Sequence, residues 1–443
     1  MKNKLFLYKS SLVAALAGFL FGFDTVVISG AEQTIQSIWN LNSTLHGLAI
    51  SMALWGTVIG AMIGGIPTEK FGRRKTLLGI GILYLLSALG SAFAPEVYSF
   101  MFFRFIGGVG VGISTIAAPL FISEISPPKY RGRLTGMFQF NIVFGILVAY
   151  MSNALLGGIE NNAWRWMLGV EALPALLYVI FSIGLPESPR WLIIHNKDRI
   201  AALNVFKKIN TSASEKELNT LVSEVEASVV VPGSKSGFFT KSMLKPILLA
   251  FFIAFFNQLS GINAILYFAP RIFEMTGLGE QTALLQSIGI GVINLVFTLI
   301  GLRLIDKLGR RTLLYYGSFG YIASLGLCAW AFYTEHFGIV PFCIFAFIAA
   351  HAIGQGAVIW VFISEIFPNR HRAAGQTLGS FTHWFFAASL TLVFPLMADA
   401  LSPSVIFGIF CFMMILQLVW VKLMVPETKG TSLEDIEKFI LKR

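Results

Sequence analysis

An apolar run of about 20 residues is what a helix needs to cross the roughly 30 Å hydrocarbon layer of a membrane, and this sequence contains twelve such runs. Six lie near residues 10–30, 47–66, 76–95, 99–121, 135–156 and 166–185, and six more near 246–267, 281–303, 312–333, 339–363, 376–397 and 403–425. Inside lipid every backbone N–H and C=O must find a partner within the protein, which predicts an all-α membrane protein. Composition agrees, with 56% of residues hydrophobic and 13% charged, against about 25% charged in soluble domains. Lys2, Lys4 and Lys9 ahead of the first run resemble a secretory leader, but the run continues to about Ile28 and carries Asp24, so it is read as an uncleaved span.

The net charge of +10 sits in short clusters between the runs, which argues against a nucleic-acid partner. With the N-terminus inside, 30 of the 33 Lys and Arg fall in cytoplasmic segments or the span ends beside them. That asymmetry predicts a multi-pass cell-membrane protein with both termini cytoplasmic, and the short tails suggest a bacterial inner membrane. Arg165 and Arg271 fall outside, and Arg104 falls within a span. The polar interval 186–245 predicts short amphipathic cytoplasmic helices. In Asp198–Ile209, Ala202, Leu203, Phe206 and Ile209 share one side with Lys207 and Lys208 off it, and a flexible Val231–Lys241 stretch follows. Cys328, Cys343 and Cys411 lie in apolar runs and read as core residues. Asn42-Ser-Thr44 is a weak glycosylation match in a short outside loop.

The two sets of six repeat each other. Glu69-Lys-Phe-Gly-Arg-Arg74 follows the second run and Asp306-Lys-Leu-Gly-Arg-Arg311 the eighth. Ser123-Glu-Ile-Ser-Pro ends the fourth and Ser364-Glu-Ile-Phe-Pro the tenth, with Arg131 and Arg372 seven residues after Glu124 and Glu365. Pro186-Glu-Ser-Pro-Arg190 ends the sixth and Pro426-Glu-Thr-Lys the twelfth. The pattern predicts a six-helix half over 1–185, a linker with short helices over 186–245, a second half over 246–425 and a tail over 426–443. Parallel halves that rock about a midplane site are a transporter architecture. The repeated charges, Arg73, Arg74, Glu124, Arg131, Glu187, Arg190, Arg310, Arg311, Glu365 and Arg372, are expected to latch the halves on the cytoplasmic face.

Gly-Arg-Arg in both halves, Pro-Glu-Ser-Pro-Arg190, Pro426-Glu-Thr-Lys-Gly430, Arg104-Phe-Ile-Gly-Gly and Gln258-Leu-Ser-Gly-Ile-Asn263 together resemble the sugar porter family. The resemblance runs from Gly22 to Thr431. It implies the major facilitator fold, a neutral monosaccharide substrate and alternating access. A sugar needs amides for its hydroxyls and an aromatic face for its ring. Gln258, Asn263 and Tyr267 on the seventh run, Asn294 on the eighth, Trp360 on the tenth, Trp384 on the eleventh and Gln139 on the fifth supply them. Similarity assigns the sugar hydroxyls to Gln139, Gln258, Asn263 and Asn294, the ring to Trp360 and Trp384, and a wall to Phe21. Asn257 departs from the family's usual Gln, Gly354–Trp360 lacks the usual prolines, and Ala387 stands where Asn is frequent. Ile146 is similar to the glucose facilitators and favours a hexose such as glucose over a pentose.

Three ionisable residues remain inside the runs. Asp24 stands about 14 residues into a rising span, or roughly 21 Å at about 1.5 Å per residue. Arg104 and Glu171, on descending spans, come to a similar depth. An unpaired charge there is costly, so the three are expected to cluster. With both acids ionised the cluster carries one negative charge in excess, which makes room for a proton. Asp24 in Phe21-Gly-Phe-Asp-Thr25 matches the acid of bacterial proton symporters, which implies Asp24 as proton carrier, Arg104 as its partner and Glu171 as modulator.

The expected function is therefore proton-coupled monosaccharide symport by a protein functional as a monomer, with sugar, proton and lipid as partners. A uniporter without coupling and a membrane sugar sensor are the alternatives. No ATP-binding loop, nucleophile motif or metal-ligand spacing appears, so neither an enzyme nor a cofactor is expected; His351 and His383 lie in spans and His195 in the linker.

Overall fold

The computed structural model describes residues 2–159, 162–210, 214–227, 237–368 and 371–430. Residues 231–236 of the expected flexible stretch and 431–443 of the expected tail lie outside the described residues. Eleven described segments are long and apolar enough to cross a membrane. Spans one to six are Leu5–Gly30, Ser43–Ile63, Arg73–Ala92, Val97–Ile125, Tyr130–Leu156 and Ala163–Ile183. Spans seven, eight and ten to twelve are Lys241–Tyr267, Glu280–Leu308, Phe337–Ile366, Arg372–Ala400 and Pro403–Met424. The ninth expected run is a helix at Arg310–Tyr333. Tyrosines, serines and glycines dilute its apolar content, and it packs between the tenth and twelfth spans.

Polar residues stop the helices where the apolar runs stop. Asn42 accepts a hydrogen bond from the Leu45 amide at 2.9 Å and caps the second span, and Glu96 caps the fourth through the amides of Tyr98 and Ser99. The linker forms the helices Pro189–Ile194, Arg199–Ile209 and Glu215–Ala227. Ala202, Phe206 and Ile209 turn inward while Lys207 and Lys208 are exposed, as the spacing predicts. Trp191, Leu192, Leu218 and Val222 join Ala202 and Phe206 in a small apolar cluster, while Ile209 packs with the core of the first half. Cys328 and Cys343 are buried and Cys411 half-buried, all as free thiols.

The repeat is visible in the packing. In the first half, span one packs on five, two on four, and three on four and six; in the second, seven packs on eleven, eight on ten, and nine on ten and twelve. The halves meet through spans two and eleven and through five and eight, two pairs that the repeat exchanges. Their hydrogen bonds cluster at the end of the bundle away from the charged motifs. The Tyr150 hydroxyl donates to the Leu266 carbonyl at 2.8 Å, the Gln281 amide to the Ala154 carbonyl at 3.0 Å, and Ser43 bonds Asp399. The far end is closed.

Glycines set both kinds of contact. A Cβ on Gly108 would stand 1.8 Å from the Ala53 carbonyl oxygen, within the first half, and one on Gly47 would stand 2.0 Å from that of Leu392, between the halves. Overpacking costs on the order of 1–3 kcal/mol, but the two positions differ in what can yield. Gly108→Val is expected to lower the unfolding midpoint in detergent. Gly47→Val should unfold near the parent's midpoint while raising hydrogen exchange at the start of span two and the end of span eleven. Equal losses of midpoint would show that the interface between halves is part of the folding core.

Candidate substrate and ion sites

The seventh span breaks where its sequence places Ser260-Gly261. Helix Leu244–Leu259 ends, Gly261 takes φ +87°, and the short helix Ile262–Tyr267 begins. Positive φ suits glycine, and a side chain there would also strike the Phe410 ring at about 2.5 Å. The break turns amides from both sides into one buried group. The Gln258 Nε2 donates to Asn257 Oδ1 at 2.9 Å, and the Asn263 amide donates to Gln258 Oε1 at 2.6 Å. Gln258 Nε2 also lies 3.1 Å from His383 Nε2 on the eleventh span.

His383 is the centre of this group, and sequence reasoning weighed it only as a metal ligand. Its ring lies 5.0 Å from Trp360 and 4.7 Å from Trp384, edge-on to the latter. Phe21, from the first half, approaches Trp384 at 5.6 Å. The signal available in sequence was a histidine directly preceding the tryptophan of an apolar span. Thus Phe21, Gln258, Asn263, Trp360 and Trp384 come together. Asn294 instead accepts from Thr298 at 3.3 Å, and half-buried Gln139 makes no described bond to the cluster. Tyr267 is buried and lies in the electrostatic field of Arg104 and Asp24.

The three intramembrane charges converge. Arg104 Nη1 donates to Asp24 Oδ1 at 2.6 Å and Nη2 to the Asp24 carbonyl at 3.1 Å. Arg104 and Asp24 are each 2% exposed and Glu171 1%. Glu171 stands where the sixth span breaks, between Ala163–Gly169 and Ala172–Ile183. It lies close enough to Asp24 and Arg104 to feel both charges, and its Oε1 has no hydrogen-bond partner among the described residues. Two buried carboxyl groups beside one arginine carry one negative charge in excess when both are ionised, so the arrangement provides a place for one proton.

At the motif end the repeated charges pair within each half. Arg73 grips Glu124 at 2.8 and 2.9 Å, and Arg310 grips Glu365 at 3.1 and 2.7 Å. Glu187 accepts from the Arg73 amide at 2.9 Å, and Glu427 likewise from Arg310 at 2.9 Å. Burial pushes the Glu187 carboxyl above its ordinary value, against the amides of Ser188, Arg74 and Arg73. Arg74 and Arg311 donate to the carbonyls of Ile183 and Lys422. Arg131 donates to the Ser123 carbonyl at 3.2 Å, and Arg372 opens the eleventh span. These pairs brace the ends of spans in this structure; the expected latch between halves is not what they form. Below the first half a cavity of about 650 Å³ opens between Arg131, Arg190, Phe206 and Leu221, apart from both constellations. Among the described residues no cluster of three His, Cys, Asp or Glu could hold a metal.

A family model described as sugar (and other) transporter matches residues 10–439. The chain is 34% identical over 441 residues to the arabinose-proton symporter of Bacillus subtilis, covering 98% of this chain and 94% of that protein. It is 35% identical over 435 residues to the glucose transporter GlcP of Staphylococcus epidermidis, covering 97% and 96%. Among solved structures, the inward-open xylose transporter XylE from E. coli aligns with TM-score 0.86 and 32% identity, over 98% of this chain and 99% of that one.

Removing one partner of a buried ion pair leaves a bare charge and costs about 3–5 kcal/mol, whereas removing both together is far milder. Arg104→Met alone should therefore lower the detergent unfolding midpoint more than Arg104→Met with Asp24→Asn. Thermal unfolding of the single and double variants checks this, and additive losses would show that the two side chains act independently.

Proposed function

The chain belongs to the family of sugar (and other) transporters, and from that membership we propose that it carries a neutral monosaccharide together with a proton by alternating access. It is a multi-pass membrane transporter and not an enzyme. The observation that carries the reading is the pairing of two buried constellations in one bundle. One is an amide and aromatic cluster at the break in span seven; the other is the Asp24–Arg104–Glu171 group in the first half.

In the absence of sugar the amides of Asn257, Gln258 and Asn263 satisfy one another, so binding exchanges those bonds for bonds to hydroxyls instead of stripping water from bare amides. Trp360 and Trp384 offer faces to the ring, Phe21 closes it from the other half, and Gln139 and Asn294 reach it as the halves move. The motif end faces the cytoplasm, and the closed far end faces outside. Asp24 takes a proton while the far end is open and gives it up once the motif end opens, with Arg104 as partner and Glu171 as modulator. The motif charges then latch the halves when the inside is shut.

The relatives' names divide between pentose and hexose, an arabinose-proton symporter and a glucose transporter. Buried Ile146, an apolar residue on the fifth span that also bears Gln139, supports a hexose such as glucose. The protein works as a monomer in this reading.

Uptake into proteoliposomes, with and without an inward proton gradient, tests the proposal. Glucose should accumulate above equilibrium, and that accumulation should collapse with a protonophore. Asp24→Asn should abolish accumulation yet retain sugar exchange; accumulation by that variant would remove Asp24 as carrier, and gradient-independent equilibration by the parent would make the protein a uniporter. His383→Leu should weaken glucose binding by about tenfold, the scale of one hydrogen bond to the Gln258 amide. His383→Gln should recover most of it, read by tryptophan fluorescence titration.

A further inference from the structure

Arg271 is one of the few cations on the far side of the charge asymmetry, and the structure gives it a buried partner in the other half. Its Nε and Nη2 donate to the two carboxylate oxygens of Glu32 at 2.8 and 2.7 Å. Nη2 also donates to Gln36 Oε1 at 2.7 Å. Glu32 opens a short helix, Glu32–Ile38, just after the first span. Arg271 sits on Ala269–Glu274, just past the seventh. From the second span, His46 Nε2 lies 2.8 Å from Glu32 Oε2. Glu32 and His46 are wholly buried, and the Arg271 side chain is 18% exposed. Beside them Gln33 donates to Glu274 at 3.0 Å, again across the halves. Glu274 also feels Arg271, Glu32 and Glu280, so Glu32 and Glu274 are the acids beside this arginine, with Glu280 next to Glu274.

We propose that Glu32 and Arg271 form the lock that holds the far end closed, and that His46 is a positioning residue that fixes the Glu32 carboxylate for both arginine nitrogens. The argument is one of asymmetry between states. The two charges face each other only while the far end is shut; opening separates the halves and lets water reach both. With both partners present, the desolvation of two charges and their attraction largely offset each other, so the lock closes without freezing the transporter. Removing one partner leaves the other unpaired only in the closed state, and the equilibrium moves toward open. His46 approaches Glu32 from the second span, edge-on to the Phe268 ring at 6.3 Å. It holds the carboxylate in the plane that a bidentate arginine requires. Other bonds between the halves pair neutral groups, as Tyr150 to Leu266 and Gln281 to Ala154 do, or set a carboxylate on a neutral donor, as Ser43 to Asp399 and Gln33 to Glu274 do. Among them only Glu32 and Arg271 join opposite charges.

The inference rests on the alternating-access reading but not on the substrate or the membrane orientation. Leu284 is 2% exposed and packs with Ala154 and Met167 across the closed far end. A Leu284→Cys reporter, with Cys328, Cys343 and Cys411 replaced, is labelled by a polar maleimide in nanodiscs without sugar. Glu32→Gln and Arg271→Gln are each expected to speed labelling by about tenfold, with the double variant no faster than either single one. The charge exchange Glu32→Arg with Arg271→Glu should return labelling toward the parent's rate. His46→Leu should speed labelling and His46→Gln, which can still donate to Glu32, should not. Unchanged labelling in both single variants, or effects that add, would overturn the lock. Glu32→Asp, a milder change that keeps the charge but shortens its reach, should shift labelling in the same direction if the Gln variants fail to fold; no shift would overturn the lock equally. Because labelling needs no sugar, a failed uptake assay with a working lock would reject the substrate reading alone.

Discussion

A backbone or side-chain polar group without a partner inside lipid costs several kcal/mol, and most of this structure can be read as a response to that cost. It requires helices wherever the chain crosses, so the spans are long and their ends carry caps such as Asn42 and Glu96. It also makes each interruption of a helix conspicuous. The sixth span breaks at Val170 and Glu171, the seventh at Ser260 and Gly261, and the tenth at Gly354. Two of these breaks hold the chemistry: Glu171 beside Asp24 and Arg104, and Gln258 with Asn263. A broken helix frees backbone groups and lets side chains from both arms reach one point, which is tolerated only where protein or water, not lipid, surrounds it.

The same cost explains which parts of the molecule were legible in the sequence. Spans, their count and the duplication are written in apolar runs and in motifs that recur at fixed offsets, because each is enforced locally. Asp24, Arg104 and Glu171 were legible as a cluster for a related reason: three charges at one depth in one half have little choice but to meet. Gln258, Asn263, Trp360 and Trp384 were legible as a family pattern, and the structure brings them together. His383 was not, since a lone histidine in an apolar span carries no periodic signal; only the fold shows that its ring fills the gap between two tryptophans and a glutamine amide. The pairing of Glu32 with Arg271 escaped for want of any local pattern, the two residues being separated by 239 positions.

The motif charges show where a correct sequence observation led to an incomplete inference. Their repetition was real, and their geometry repeats as well. Gly72 and Gly309 adopt φ +88° and +95°, each placing two following amides on a glutamate from the end of its half, Glu187 or Glu427. Sequence spacing could not say whether an arginine would bridge halves or brace one, because both arrangements use the same residues. In this structure, with the far end closed, Arg73 and Arg310 each tie a loop to the end of the fourth or tenth span. Each tie braces its own half, which the proposed rocking motion would need as much as it needs a latch.

The halves are alike in fold and unlike in chemistry. The repeat offset that carries Gly72 to Gly309 also carries Tyr84 to Tyr321, yet Tyr84 lies in the field of Asp24 and Glu171 whereas Tyr321 meets His351 at 2.7 Å. The first half thus keeps the buried Asp24, Arg104 and Glu171 group, and the second keeps the amide and aromatic cluster around Gln258 and His383. Under the proposed symport the proton groups and the sugar groups belong to separate constellations, and their coupling would travel through the interface. The short helix Ile262–Tyr267 is placed for that. Its first turn presents Asn263 to Gln258, its last residue faces the field of Arg104 and Asp24, and the adjoining Leu266 carbonyl is held by Tyr150 of the other half. Movement of the halves cannot alter one end of so short a helix without altering the other, which under the proposed symport would give proton and sugar a common mechanical element while leaving their binding groups apart.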